Sequence, residues 1–112
     1  MPYLPKQGDI IFLDFDPQSG HEQAGRRPAV VMSNNIFHAR TNRMALVAPI
    51  TNTTKPFPTH VPVERTKTTG VIMCEQIKSV DVHSRRAKFV EELPEDLLER
   101  ALNVVGAIFE KE

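Results

Sequence analysis

The sequence holds one cysteine, no tryptophan and no surplus of charge of either sign, with 14 Lys and Arg against 14 Asp and Glu. A lone Cys74 cannot close an intramolecular disulfide, which excludes a cysteine-stapled secreted scaffold. The four histidines, His21, His38, His60 and His83, are too scattered for tetrahedral zinc spacing, so no metal or other cofactor is expected. Long hydrophobic runs are missing as well. The longest, Met44 to Ile50, is far below the roughly twenty residues that span a bilayer. Lys6, Asp9 and Asp14 interrupt the first fifteen residues and no small-residue cleavage site follows, so the expectation is a soluble, cytoplasmic protein with no membrane partner. What is present, 40% hydrophobic and 25% charged residues in a chain of 112, is the composition of one globular domain covering residues 1–112. At this length folding buries roughly two thirds of the extended-chain surface, enough for a core without staples.

Zero net charge at first argues against a nucleic-acid partner, because phosphate binding depends on Lys and Arg. The charge is segregated, however. Residues 1–25 hold one cation and four anions, residues 26–88 hold eleven cations and three anions, and residues 89–112 hold two cations and seven anions, giving −3, +8 and −5. Neutrality is thus a balance of unlike segments, with the cations gathered in the middle.

The N-terminal half reads as strands. Asp9 to Phe15, introduced by Gly8 and stopped by Asp16-Pro17, is a β-branched and aromatic run suited to a strand buried on both faces. Pro28 to Ser33 and Met44 to Ile50 are two more; His60 to Val63 is a short edge strand, since Pro62 cannot donate to a ladder. Val71 to Val82 forms one strand, or two divided by a bend. From Leu97 the period changes: Leu98, Ala101, Leu102, Val105, Ile108 and Phe109 recur at three and four residues, predicting a helix from about Pro94 to Glu110. Glu95 and Asp96 suit its first turn, where the helix dipole favours anions. The expected fold is mainly β with one C-terminal α-helix: a strongly bent antiparallel sheet or small barrel.

Three places hold candidate chemistry. In the polar loop from Pro17 to Arg26, His21, Glu22 and Gln23 adjoin Arg26 and Arg27, a set able to cradle a phosphodiester, or simply a solvated hairpin loop with a surface ion pair. Thr51 ends an apolar strand, where its hydroxyl can bond a phosphate oxygen or merely form a turn. Glu75 stands in the apolar stretch VIMCEQI, where an acid is costly to bury unless it points to a cation or a cleft. Cys74 reads as a small core residue.

Taken in order, GDIIFLDFDPQSGHEQAGRRPAVVMS, VAPIT, FPTHVPV and TTGVIMCEQIKSVD resemble the MazF/PemK family of ribosome-independent mRNA interferases, the toxin halves of toxin-antitoxin modules. The resemblance runs from about Gly8 to the terminal helix, and the loop G-H-E-Q-x-G-x-R-P is its most specific piece. It implies an SH3-like barrel with a C-terminal helix, a homodimer, and metal-independent cleavage of single-stranded mRNA at short sequence motifs, leaving a 2′,3′-cyclic phosphate and a 5′-hydroxyl. It also implies a cognate antitoxin with an acidic flexible segment, which the +8 middle of the chain would attract. Carried onto this sequence, Arg27, Thr51, Glu75 and His21 are the expected catalytic residues, and Glu22, Gln23, Arg26, Gln76 and Lys78 the expected RNA contacts. The PemK pattern has an Arg two residues before the late acid; here that position is Met73.

Attack of a 2′-hydroxyl on its own phosphate needs a base, a cation for the charge gathering on phosphorus and an acid for the leaving 5′-oxygen. Arg27 fits the cation and Thr51 a nonbridging oxygen; Glu75 or Glu22 is the base, and His21 or Arg27 the acid. Two alternatives are a non-catalytic SH3-like module that binds RNA or peptide, and a barrel toxin acting on a protein such as a topoisomerase.

Overall fold

The computed structural model describes residues 2–15, 25–52 and 55–112. β1 (Asp9–Asp14) and β2 (Arg26–Val31) pair antiparallel, with Ile10 opposite Val30 and Asp14 opposite Arg26. A short helix, α1 (Asn35–Arg40), leads to β3 (Met44–Thr51). Then come β4 (His60–Pro62), β5 (Val71–Met73), a single 3-10 turn (Cys74–Gln76), β6 (Lys78–Asp81), β7 (Lys88–Glu92) and the terminal helix α2 (Glu95–Ile108).

β3 organises the sheet. One of its edges takes β2 at residues 47–49; the other takes β6 at residues 44–47 and β5 at residues 50–51. The strand path β4-β5-β3-β2-β1-β7 ends at two edges that are not paired with each other among the described residues. The bent antiparallel sheet and terminal helix are as expected, but the sheet is not a closed barrel. The stretch from Val71 to Val82 resolves into two strands, because the 3-10 turn steps the chain from one stretch of the β3 edge to the next.

Strand alternation sends side chains to two cores. Ile10, Val30, Ala48, Ile50 and Ile72 face α2 and pack with its Leu97 and Ala101. Ile11, Leu13, Ala29, Val31, Val47 and Val80 build a second cluster on the opposite face. Leu97, only 4% exposed, alone accounts for about 2 kcal/mol of the hydrophobic stabilisation of α2. β1 is buried on both faces as expected except at Phe12, whose ring is partly exposed beneath Arg26, and at the half-buried Asp14. α2 keeps the expected acidic first turn, with Pro94 at its N-cap.

Two elements were not foreseen. α1 spans six residues, too few to show a helical period; Asn34 starts it by accepting a 2.9 Å bond from the Phe37 amide. It buries His38, whose Nδ1–H donates to the Pro5 carbonyl and whose Nε2 accepts from Ser33, pinning the N-terminal segment to the sheet. Burial lowers the His38 imidazole below its ordinary value. β7, with Phe89 and Val90 exposed, is a strand because β1 offers it a free edge.

Candidate active site

Two adjacent arginines open β2 and point to opposite faces. Arg26 is committed within the fold. Its guanidinium stacks 5.2 Å above Phe12, bonds Asp14 at 3.2 Å, and donates to the carbonyl oxygens of Phe12 and Arg86. Arg86 reaches the other oxygen of Asp14 at 2.9 Å. The Arg86 bond, opposed by desolvation and joined by the bond of Arg26, holds the Asp14 carboxyl below its usual range. Arg27 is exposed on the other face and meets no partner among the described residues. A guanidinium presented without a counter-charge is available to an anion from solution.

The β2–β3 ladder pairs Ala29 with Pro49. The ladder ends at that pair, with Arg27 two residues beyond it on β2 and Thr51 two residues beyond it on β3. Thr51 in turn pairs with Val71. Just before β5, Gly70 has φ +124°, and a Cβ there would lie 2.4 Å from the Thr51 carbonyl oxygen. Only glycine lets the chain pass this close while holding Thr51 at the strand end.

Across β5 lies the acid. Thr59 Oγ1 donates to Glu75 Oε1, and His60 Nε2 lies 3.2 Å from Glu75 Oε2. Partial burial works to raise the Glu75 carboxyl, but the Thr59 hydroxyl, a backbone bond within the turn and His60 together hold it below its ordinary range. It is therefore ionised and oriented at neutral pH, as a base requires. Gln76 beside it is exposed.

By register, Lys78 on β6 stands opposite Val47, and Met73 and His60 stand opposite each other on β5 and β4. Arg27, Thr51, Lys78, Met73 and His60 all belong to the face turned away from α2. Lys78 sits 5.5 Å from the Phe15 ring centroid and 3.5 Å from the Phe15 carbonyl oxygen. Among the described residues, no group of three His, Cys, Asp or Glu side chains converges as a metal site. His21, Glu22 and Gln23 lie outside the described residues. Cys74 is a core residue, 2% exposed, with burial pushing its thiol up to about 11.

The middle segment's positive charge is partly answered by acids from outside it. Asp14 binds Arg26 and Arg86, and Asp96 on α2 binds Arg65 at 2.7 Å. Arg27 and Lys78 have no acidic partner among the described residues. Thr59 and His60 are members of the site that sequence reasoning missed; the bond to Glu75 spans 15 residues for His60 and 16 for Thr59, and only the β4–β5 register brings them together.

Residues 6–109 match the sequence profile of the PemK-like, MazF-like toxins of type II toxin-antitoxin systems. The chain belongs to this family. It is 41% identical over 85 residues to the endoribonuclease toxin MazF of Escherichia coli strain K12, covering 76% of each chain. It is 38% identical over 111 residues to the endoribonuclease toxin ChpB of the same strain, covering 94% of each. The crystal structure of a MazE–MazF complex from Deinococcus radiodurans contains a chain of the same fold, with a TM-score of 0.82, 28% identity and coverage of 99% of this chain and 100% of that one. This MazF-like toxin thus shares its bent antiparallel sheet and C-terminal helix with a MazF-containing structure.

Proposed function

We propose that this MazF-like toxin is a sequence-specific endoribonuclease that cuts single-stranded mRNA by attack of the 2′-hydroxyl on the adjacent phosphodiester. The observation that carries the reading is an exposed Arg27 with no partner among the described residues, on the strand that neighbours β3, whose end carries Thr51 next to the strand that leads to an ionised Glu75. Arg27 stabilises the charge that builds on the phosphoryl oxygens, and Thr51 donates to a nonbridging oxygen. Glu75 takes the proton from the 2′-hydroxyl as the O2′–P bond forms. The P–O5′ bond then breaks and the departing oxygen receives a proton, from Arg27 or from His21. The products are a 2′,3′-cyclic phosphate and a 5′-hydroxyl, and the scheme calls on no metal ion. Lys78, Gln76, Glu22 and Gln23 contact the RNA on either side, whereas Arg26, expected from the sequence to do so, is taken up by Asp14 and Phe12.

In this reading the protein works in the cytoplasm as a homodimer, and a cognate antitoxin with an acidic flexible segment covers the Arg27 face. Incubation with a defined single-stranded transcript in EDTA tests the activity. Discrete fragments with 5′-hydroxyl ends are expected, and they should vanish when the residue at the cut carries 2′-deoxyribose. Persisting cleavage at the deoxy site would refute the mechanism. RNA retained without fragments would favour the non-catalytic module, and an arrest of DNA synthesis before protein synthesis on expression would favour a protein target.

A further inference from the structure

His60, half-buried, differs from the buried His38. His38 bonds through both ring nitrogens, the pattern of a ring that fastens one part of a fold to another. His60 bonds through one. Its Nδ1 is buried with no hydrogen-bond partner among the described residues, its side chain is 12% exposed, and Phe57 packs against it with ring centroids 5.1 Å apart. Packing therefore fixes the plane of the ring, and its polar contact goes to Glu75. A carboxylate can only accept, so the proton of that bond sits on Nε2.

We infer that His60 is a positioning residue for RNA cleavage, holding the Glu75 carboxylate through Nε2–H in the orientation that receives the 2′-hydroxyl proton. The inference rests on the reading of Glu75 as the base. Thr59 and His60 each engage one carboxylate oxygen, which fixes the plane of the group and leaves further lone pairs for the incoming proton. The proton passes from O2′ to Glu75 and, after the cyclic phosphate has formed and the 5′-oxygen has left, from Glu75 to water. A carboxylate with one fixed neighbour can swing about its terminal bond. One clamped at both oxygens starts each turnover already aligned.

Among the described residues, His60 is the ionisable side chain that bonds the Glu75 carboxylate. The 3-10 turn packs against α2, β3 and β4. Through Cys74, the turn meets α2 and β3 in the apolar cluster with Leu97, Ala101 and Ile50, and β4 brings His60 against Glu75. The Cys74 thiol, pushed up to about 11, stays protonated across the working range. Directly across the ladder from His60 stands Met73, which offers no charge.

Two variants, His60→Phe and His60→Gln, test the inference by single-turnover cleavage of a defined oligoribonucleotide as a function of pH. Phe keeps the ring volume without the N–H. Its cleavage rate should fall about 10- to 100-fold with RNA affinity within about twofold, and the acid limb of its pH profile should move up by about half a unit, because a carboxylate that loses a donor is easier to protonate. Gln retains an N–H able to reach the same oxygen and should keep the rate within about threefold of wild type. A Phe variant with unchanged rate and acid limb overturns the inference, as does a folded Gln variant that loses more than tenfold. A ¹³C NMR titration of the Glu75 carboxyl, read without activity, should show the same upward shift in His60→Phe; an unmoved titration also overturns it. Glu75→Gln separates the two levels. Wild-type cleavage by Glu75→Gln would remove Glu75 as the base, whereas loss of cleavage there with His60→Phe unaffected would sink the role of His60 alone.

Discussion

The Cβ that residue 70 lacks would lie 2.4 Å from the carbonyl oxygen of Thr51, closer than any side chain tolerates. With φ at +124°, residue 70 is glycine for two independent reasons, backbone conformation and the absence of room. The neighbour that would have to yield is main chain, on the strand that presents a proposed catalytic hydroxyl.

Gly70→Ala is therefore expected to destabilise the protein by about 2–4 kcal/mol and to displace Thr51. Urea unfolding and cleavage measured on the folded fraction check this. A variant with an unchanged midpoint and wild-type cleavage would show that the strand end shifts freely.

Arg26 and Arg27 should separate into a stability residue and an activity residue. Arg27→Ala should lower cleavage about 10²- to 10³-fold, with stability within about 0.5 kcal/mol of wild type. Arg26→Ala removes the stacking on Phe12 and the bonds to Asp14 and two carbonyl oxygens, so its melting temperature should fall by a few degrees. Measuring both variants by thermal unfolding and by cleavage decides the matter; equal effects on both readouts would contradict the division.

Acid should weaken the link between β7 and the β4–β5 connection. Partial burial works to raise Glu91, but the Lys67 amide and the Thr68 amide and hydroxyl hold its carboxyl below the ordinary Glu value of 4.5. With the folded value depressed, the stabilisation is present above 4.5 and is lost as pH falls through the folded value. Glu91→Gln should be less stable than wild type at pH 7, and the gap should close below pH 4.5; urea midpoints measured from pH 3 to 7 test it.

RNA binding should weaken steeply with salt although the protein is neutral overall. Lys78→Ala should reduce the slope of log affinity against log salt by about one, the release of one counterion. Arg65→Ala, whose guanidinium is held by Asp96, should leave the slope unchanged. Fluorescence anisotropy across a salt series distinguishes the two.

Much of the fold was legible because burial writes itself into sequence. Ile10, Ile11 and Leu13 cannot be exposed together, and the Leu97, Ala101 and Val105 spacing has one solution. β7 was invisible for the converse reason: Phe89 and Val90 stay exposed, and the strand exists through its pairing with β1. The residue pattern left a bent sheet and a small barrel both open, because short bent strands are common to the two and only long-range pairing, which leaves the sheet unclosed among the described residues, tells them apart. At the site, the positions of Arg27 and Thr51 could be read from motifs. The difference between Arg26 and Arg27 follows from strand parity, and the contact of His60 with Glu75 from a ladder register set by Val61 and Ile72 in the core. No local pattern records either.

Both ends of the segment 16–24 are fastened by side chains from outside it. Before it, the Phe15 carbonyl receives Arg85 at 2.7 Å and Lys78 at 3.5 Å; after it, Arg26 grips Asp14 and the Arg86 carbonyl. The two described strand ends that flank it are thereby held to β6 and to the turn before β7 by contacts that do not depend on the residues between them.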